Sequence, residues 1–336
     1  MKLTVAIPTF NRLVQVTGRV SELLPQITPD VEFIIIDNCS DSSVEEYVKN
    51  NAKNYNFDRI KFIRNKINVG ANANFMKCIE HCSGEWLWIL GDDDPVCPNA
   101  IEIILKQIED LQNIAYVTFF SSAGYGIPGE YSTVFDAIDK VDFTNALFIS
   151  SSVMNRQLCG SYIRYGYEMI GAQAPHLAIK YAALYNKKCK FIVSQERITL
   201  DHLVENEQQW NQLRVWTRLL WLLDLEFLSF QEHKLLAKQM HAWFFNFKTL
   251  ILMSIRTALS VEAKLLSEST ASKFIDELYF RQKSVRSVWM FVPIYWLTLF
   301  FIKFPSAAKL CDRARCCLKK GRTGKLEPLP KVEHRV

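Results

Sequence analysis

The chain lacks the short motifs that most often mark nucleotide and metal sites. It has nine cysteines but no CxxC pair and no zinc-type spacing; Cys316 and Cys317 are adjacent and the rest are scattered among apolar residues. A zinc ribbon and a CxxC redox site are therefore excluded, and reduced, cytoplasmic cysteines are expected. No GxGxxG and no GxxxxGK[ST] follows the first apolar run, which excludes the usual dinucleotide and P-loop phosphate cradles. The opening MKLTVAIPTFNR is too short an apolar run for a secretion signal and meets Pro8. The first 280 residues contain no run of the roughly 20 apolar residues that a membrane span needs. A net charge of +5 comes with no nucleic-acid motif, so no nucleic-acid partner is expected.

What is present is a core-forming chain. It has 336 residues, 49% of them hydrophobic and 12% aromatic, enough for one large α/β domain or two smaller units. Leu3 to Ile7 reads as a strand stopped by Pro8, and Leu13 to Leu24 as a helix ended by Pro25 and Pro29. Val31 to Ile36 is a second strand, whose unbroken apolar run predicts burial on both faces. Ser43 to Asn50 is helical, Ile60 to Arg64 a third strand, and Ala71 to His81 a helix after the turn Asn68-Val69-Gly70. Trp86 to Leu90 is a fourth strand, and Ile101, Ile104, Leu105 and Ile108 place a helix over Asn99 to Leu111. Strict alternation over the first hundred residues predicts a Rossmann-like, mostly parallel twisted sheet with helices on both faces. Ligand sites on such sheets lie beyond the carboxyl ends of the strands.

The fourth strand runs into Asp92, Asp93 and Asp94, followed by Pro95 and Pro98. Three adjacent carboxylates repel one another unless solvated or paired. Taken alone they read as an acidic turn. On one rim with Pro8-Thr9-Phe10-Asn11, Asp37-Asn38 and Asn68-Val69-Gly70, they read as a site for a hard divalent cation, Mn2+ or Mg2+, bound together with substrate phosphates.

Four segments in order, VAIPTFNR, IIIDNCSDSS, NVGANANF and GEWLWILGDDDPVCP, resemble the signatures of the family 2 glycosyltransferases, which have the GT-A fold. The likeness is specific over residues 1–115 and weaker to about 205. It implies a nucleoside-diphosphate-sugar donor, with UDP the expected nucleotide. Pro8, Thr9, Phe10, Asn11 and Arg12 would line it, Asp37 would accept a hydrogen bond from the base, and Asn38, Asn68, Gly70 and Asn72 would close over it. Counting back from Pro98, Asp93 falls on the family's main metal ligand and Asp92 on a ribose or metal contact. Asp94 is a further metal candidate. Gly91 stands where the family's first Asp usually stands, so the motif is shifted.

Ile114 to Phe120 is another buried strand, Ser121 to Gly129 a loop, and Lys190 to Val193 a strand with Ile198 to Leu200 as a candidate extension. Phe143 to Ser152 and Ser161 to Ile163 give no firm assignment. Inverting members of the family use a general base, usually in an acidic pair, and no Glu-Asp pair is found. The segment GAQAPH precedes a helix at about the right distance and resembles an S-x-P-H segment of some O-antigen sugar transferases, so His176 is the first candidate base. Glu168 and Asp201 are the alternatives, and His202 is a metal or pyrophosphate candidate. The Q-x-x-R-W spacing of processive synthases is not met, which favours transfer of a single sugar.

Trp210 to Ile255 reads as apolar helix and Ser260 to Arg281 as an amphipathic one. Val288 to Ile302 is uncharged, contains Pro293 and is flanked by basic residues. It predicts a helix lying on an anionic membrane or packed on the domain. The expected organisation is a catalytic domain over 1–205, divided into a nucleotide-sugar half (1–115) and an acceptor half (116–205). A helical extension (206–280) and an apolar, basic membrane-associating region (281–336) would follow. The expected protein is a cytoplasmic glycosyltransferase, peripheral at the inner membrane, acting on a lipid-linked glycan acceptor in surface polysaccharide assembly. The alternatives are a non-catalytic nucleotide-sugar-binding scaffold protein and, more distantly, a nucleotidyltransferase.

Overall fold

The structure is a computed structural model. It describes residues 1–52, 57–185, 189–201, 212–244, 254–255, 257–259, 261, 267, 269–273 and 292–313. By its internal contacts the chain divides into two compact units, one of residues 1–202 and 222–236, the other of 203–221 and 237–336.

The first unit is built on an eight-stranded sheet ordered β3-β2-β1-β4-β7-β5-β8-β6. β1 (Leu3–Thr9), β2 (Val31–Asp37), β3 (Ile60–Arg64) and β4 (Trp86–Ile89) are mutually parallel. The apolar runs of β1, β2 and β4 are buried on both faces, as their unbroken composition requires, whereas β3 at the sheet edge is buried only in part. On one face Val5, Ile7, Phe33, Ile35, Trp86 and Trp88 pack against Val16 and Val20 of α1 (Leu13–Leu23), Val44 and Val48 of α2 (Val44–Asn51), and Ile101 and Ile104 of α4 (Ala100–Gln107). α3 (Ala71–His81) packs on β1, β2 and β4 and its buried residues stand outside that cluster, so helices cover both faces.

The second half of the sheet departs from the expected parallel order. β7 (Ser152–Asn155) lies antiparallel between β4 and β5 (Ile114–Phe120), and β6 (Gly129–Tyr131) lies antiparallel on β8 (Lys190–Arg197). Only β5 and β8 are parallel there. The sheet is thus mixed, because the four-residue β7, wedged between β4 and β5, reverses the direction. α4 ends before Leu111, since Asp110 and Asn113 take left-handed backbone conformations that a helix cannot continue through. β8 runs on to Arg197, past the expected end at Val193.

Four short helices follow, α5 (Val134–Asp139), α6 (Phe143–Leu147), α7 (Arg156–Gly160) and α8 (Ile163–Glu168), and then the longer α9 (Pro175–Tyr185). Every residue of α9 from Pro175 to Leu184 is buried. Beyond the sheet, the expected single helical stretch from Trp210 is broken. α10 (Gln212–Leu219) passes into a 3-10 turn, and α11 (Phe230–Phe244) starts only after it. In the second unit α12 (Val292–Lys303) has Pro293 in its first turn rather than its interior, where the missing N–H costs nothing. Among the described residues no helix is long and apolar enough to cross a membrane.

Candidate active site

The carboxyl ends of β1, β2 and β4 converge because the strands are parallel and in register: Thr9 pairs with Asp37, and Ala6 with Ile89. Each ladder continues one bond into the loops, through Asn38 N to Thr9 O (2.9 Å), Asn65 N to Asp37 O (2.8 Å) and Leu90 N to Ala6 O (2.9 Å). The four polar loops therefore share one edge.

Asp92 and Asp93 do not stand as bare carboxylates. The Arg12 Nη1 donates to Asp92 Oδ1 at 3.0 Å and to Asp93 Oδ2 at 2.5 Å. The Thr9 hydroxyl donates to the other oxygen of Asp92 at 2.7 Å. Asp92 is buried, with 7% of its side chain exposed, whereas Asp93 is 39% exposed and faces solvent. Burial pushes the Asp92 carboxyl above its ordinary value, opposed by the Thr9 bond and the Arg12 charge. The Arg12 guanidinium is held above its ordinary value, the two carboxylates outweighing the burial that works against it.

Asp94 turns away from that pair. Ser150 donates to its Oδ2 at 2.6 Å and accepts from the Gly91 amide at 2.8 Å. Ser150 is itself fixed through its carbonyl, which accepts from the Trp88 indole at 2.9 Å. A Cβ on residue 91 would lie 2.4 Å from Asp94 Oδ2. The glycine at this place is thus what lets Asp94 fold back. Ser150 lies 56 residues from Asp94 and no spacing in the sequence announces it.

Asp37 is buried and accepts from Ser40 N (2.9 Å) and from Arg64 (2.8 Å). Asn38 donates to Asn68 Oδ1 at 2.8 Å and accepts from Val69 N and Asn65, both at 3.0 Å. Gly70, at φ 86, donates to Asn68 and opens α3. Asn72 donates to Ile170 O at 2.8 Å. Asn11, also left-handed, is bound to Ser40 and Asp41. Pro8 is buried, while Phe10, beside it, is 40% exposed. Arg64 and Asn65 were not anticipated, though Arg64 ends β3 on this rim and Asn65 follows it.

The candidate bases separate. His176 opens α9 as expected but lies inside the protein, 4% exposed, with Nε2 3.2 Å from Ala146 O and Nδ1 unpartnered. Burial, and next Lys180, push it down to about 3, so the ring is neutral. The first candidate base is thus an interior imidazole of low basicity, away from solvent. Glu168 ends α8 with its side chain exposed. Asp201 is exposed and ion-paired to Arg197. Residues 198–200 run antiparallel beside 95–97, with Leu200 N donating to Pro95 O at 2.8 Å and Val96 bridged to Thr199. The next residues along the two segments are Asp201 and Asp94. His202 lies outside the described residues.

The rim suits a divalent cation. Two carboxylates of hard oxygen already converge on one positive group. Among the described residues no three His, Cys, Asp or Glu side chains gather into a complete metal site. An ion held by one or two carboxylates, completed by phosphate oxygens and water, matches the way Mg2+ is commonly bound.

Comparison with known proteins agrees with this geometry. Residues 4–154 match glycosyl transferase family 2. The chain is 31% identical over 120 residues to abequosyltransferase RfbV of Salmonella typhimurium, covering 34% of each protein. It is 28% identical over 208 residues to the GalNAc(5)-diNAcBac-PP-undecaprenol beta-1,3-glucosyltransferase of Campylobacter jejuni, covering 59% of this chain and 64% of that one. These matches thus span less than two thirds of either relative. In fold it resembles S. aureus TarS 1–349 solved with UDP, at TM-score 0.56 and 16% identity over 99% of this chain and 95% of that one. It also resembles the Pyrobaculum calidifontis mannosyltransferase PcManGT solved with GDP-Man and Mn2+, at TM-score 0.55 and 12% identity over 90% and 87%. The chain is thus similar to glycosyl transferase family 2 over residues 4–154, and its sheet resembles that of the GT-A glycosyltransferases.

Proposed function

We propose that the protein transfers a single sugar from a nucleoside-diphosphate-sugar to a lipid-linked glycan, with inversion, in surface polysaccharide assembly. The observation that carries this reading is the convergence of Asp92 and Asp93 on one cationic group beside Asp37 and Asn38 at the sheet's carboxyl edge. UDP is the nucleotide we favour, by likeness to a neighbour solved with UDP. The lipid-linked acceptor is favoured by the undecaprenol-linked substrate in the Campylobacter relative's name.

Asp93, with Asp92 behind it, would hold Mn2+ or Mg2+, and Thr9 fixes Asp92 by its hydroxyl. The bound ion would supply charge neutralisation for the leaving diphosphate. Asp37, Asn38 and Asn68 shape the nucleotide end, with Phe10 as an exposed ring beside it. Asp201 is our choice of base: it reaches solvent and its segment runs alongside the acidic loop. The acceptor hydroxyl attacks the anomeric carbon as the bond to the diphosphate breaks, and its proton passes to the Asp201 carboxylate. Asp201→Asn should lower kcat by on the order of 10²–10⁴-fold, whereas Glu168→Gln should change it little. The reverse outcome would move the base to Glu168.

The chain's second unit suggests where the acceptor is met. Trp296, Phe300 and Phe304 are exposed at helical spacing, 64%, 48% and 53%. Lys303, Lys309 and Arg313 are exposed beside them. We read this as a peripheral contact with an anionic bilayer, on the cytoplasmic face. The full chain should sediment with vesicles containing anionic lipid and much less with zwitterionic ones.

The experiment for the central reading is donor hydrolysis with and without Mn2+, over a panel of UDP-, GDP- and CDP-sugars. Metal-dependent release of one nucleoside diphosphate supports transfer. Nucleotide binding without release under any metal would favour the non-catalytic scaffold.

A further inference from the structure

Arg12 is placed where a metal ligand set would hold its ion. One nitrogen, Nη1, contacts one oxygen from each of two carboxylates, Asp92 Oδ1 and Asp93 Oδ2. The second oxygen of Asp92 is taken by Thr9, and an oxygen of Asp94 by Ser150. The oxygens aimed at the centre of the rim are therefore the ones the guanidinium occupies. A divalent ion binding the same two oxygens would stand within a few ångströms of a fixed positive charge, and the two repel at that range.

The root of the Arg12 side chain is anchored by its backbone neighbours, and its end is held by the acid pair. Asn11, the preceding residue, is tied to the neighbouring loop by Asn11 N to Ser40 Oγ (2.9 Å), Asn11 Nδ2 to Asp41 (3.0 Å) and Asp41 N to Asn11 Oδ1 (2.8 Å). Arg12 then begins α1 with a non-helical backbone. Its side chain is 32% exposed, so the guanidinium can leave the acid pair by side-chain rotation alone.

Resting on the metal reading above, we propose that Arg12 is a placeholder cation: it occupies the Asp92–Asp93 cradle in the metal-free protein and competes with the divalent ion for it. Without a positive group, two adjacent carboxylates would repel each other and the loop would lose its shape. With Arg12 in place the loop keeps its shape, and the metal affinity of the nucleotide-free protein is held down. Once displaced, the guanidinium is free to meet a phosphate, the anion it binds best after a carboxylate.

The test is a Mn2+ titration of the full chain without nucleotide, read by the loss of the free-ion electron paramagnetic resonance signal. Arg12→Gln should tighten Mn2+ binding by about tenfold, the size of an ordinary coupling between two binding events. Arg12→Lys keeps the charge but not the fork, and should tighten it less. Unchanged or weaker Mn2+ binding in folded Arg12→Gln would overturn the proposal and make Arg12 part of the metal-bound site's support. If neither variant folds, the wild-type chain decides: the Arg12 Nε–H NMR signal should shift as Mg2+ is added, and a signal that stays put sinks the idea. Asp93→Asn separates the two layers. If it binds Mn2+ as tightly as wild type does, the metal reading itself fails, whatever Arg12 does.

Discussion

Two clusters of ionisable side chains sit in the same sheet-based unit and are treated in opposite ways. On the rim, Arg12, Asp92 and Asp93 keep their charges by pairing, partly in reach of water. Inside, His176 and Lys180 lie one turn apart on α9, and both are buried. Lys180 donates to Ser152 and lies 5.2 Å from the centre of the Tyr116 ring, and no carboxylate of the described residues is ion-paired to it. Burial lowers it to about 8, partly offset by Cys159. Residue type therefore does not locate the chemistry here. A histidine in the right order along the chain is interior, and an arginine that would pass as nucleotide lining stands in the acid pair.

The most damaging way to probe that contrast is to empty each cluster in turn. Asp93→Ala removes the exposed half of the cradle and should abolish transfer and donor hydrolysis, a loss on the order of 10²-fold or more in kcat. Folding should be close to normal, since the residue is partly exposed. Turnover near the wild-type level in a cleanly folded variant would end the metal role. His176→Gln keeps a hydrogen-bond donor for Ala146 and should leave transfer at pH 7 within a few-fold. A larger loss in folded protein would restore the ring as the base.

The interior cluster should speak instead through stability. His176 is near 3 in the folded chain against an ordinary 6.5. Between those values the unfolded chain takes up a proton that the folded one refuses. Stability is then lost as pH falls through that window, by up to about 1.4 kcal/mol per pH unit from this group. Lys180 works in the alkaline range. Its folded value near 8 lies below the ordinary 10.5, so from pH 8 upward the folded chain sheds its proton first, and stability rises towards pH 10.5. Denaturant melts across both windows should show these slopes, and His176→Gln and Lys180→Met should each flatten one of them. Slopes unchanged by the substitutions would mean the two groups are hydrated in solution.

How much of this was legible follows the same divide. β1, β2 and β4 could be read because each is a continuous apolar run, and β1, β2 and β3 are neighbours in the sheet as they are in sequence. β6 and β7 could not, being three and four residues long and placed by partners far along the chain. The acidic loop was visible as a local motif. Its partners Arg12 and Ser150 lie 81 residues before Asp93 and 56 after Asp94, and only the parallel register and the 3-10 turn Ile149–Ser151 before β7 bring them to it. The depth of His176 was not legible because α9 is buried all round, so it has no polar face by which its inward positions could be told from its outward ones.

Ser150→Ala makes the finest cut, because it tests whether the acid rim is held as a unit. The hydroxyl serves two partners, accepting from Gly91 N and donating to Asp94. Its loss leaves an amide and a carboxylate oxygen without that partner in a part-buried turn, at a cost of about 1 kcal/mol. Asp92 and Asp93 keep Thr9 and Arg12, so their cradle should survive. We expect a small drop in melting temperature and a rise in the KM for Mn2+ of a few-fold, with kcat nearly unchanged. A kcat loss as deep as that of Asp93→Ala would show that Asp94 binds the ion directly, and that the fold-back onto Gly91 is a resting arrangement which metal binding undoes.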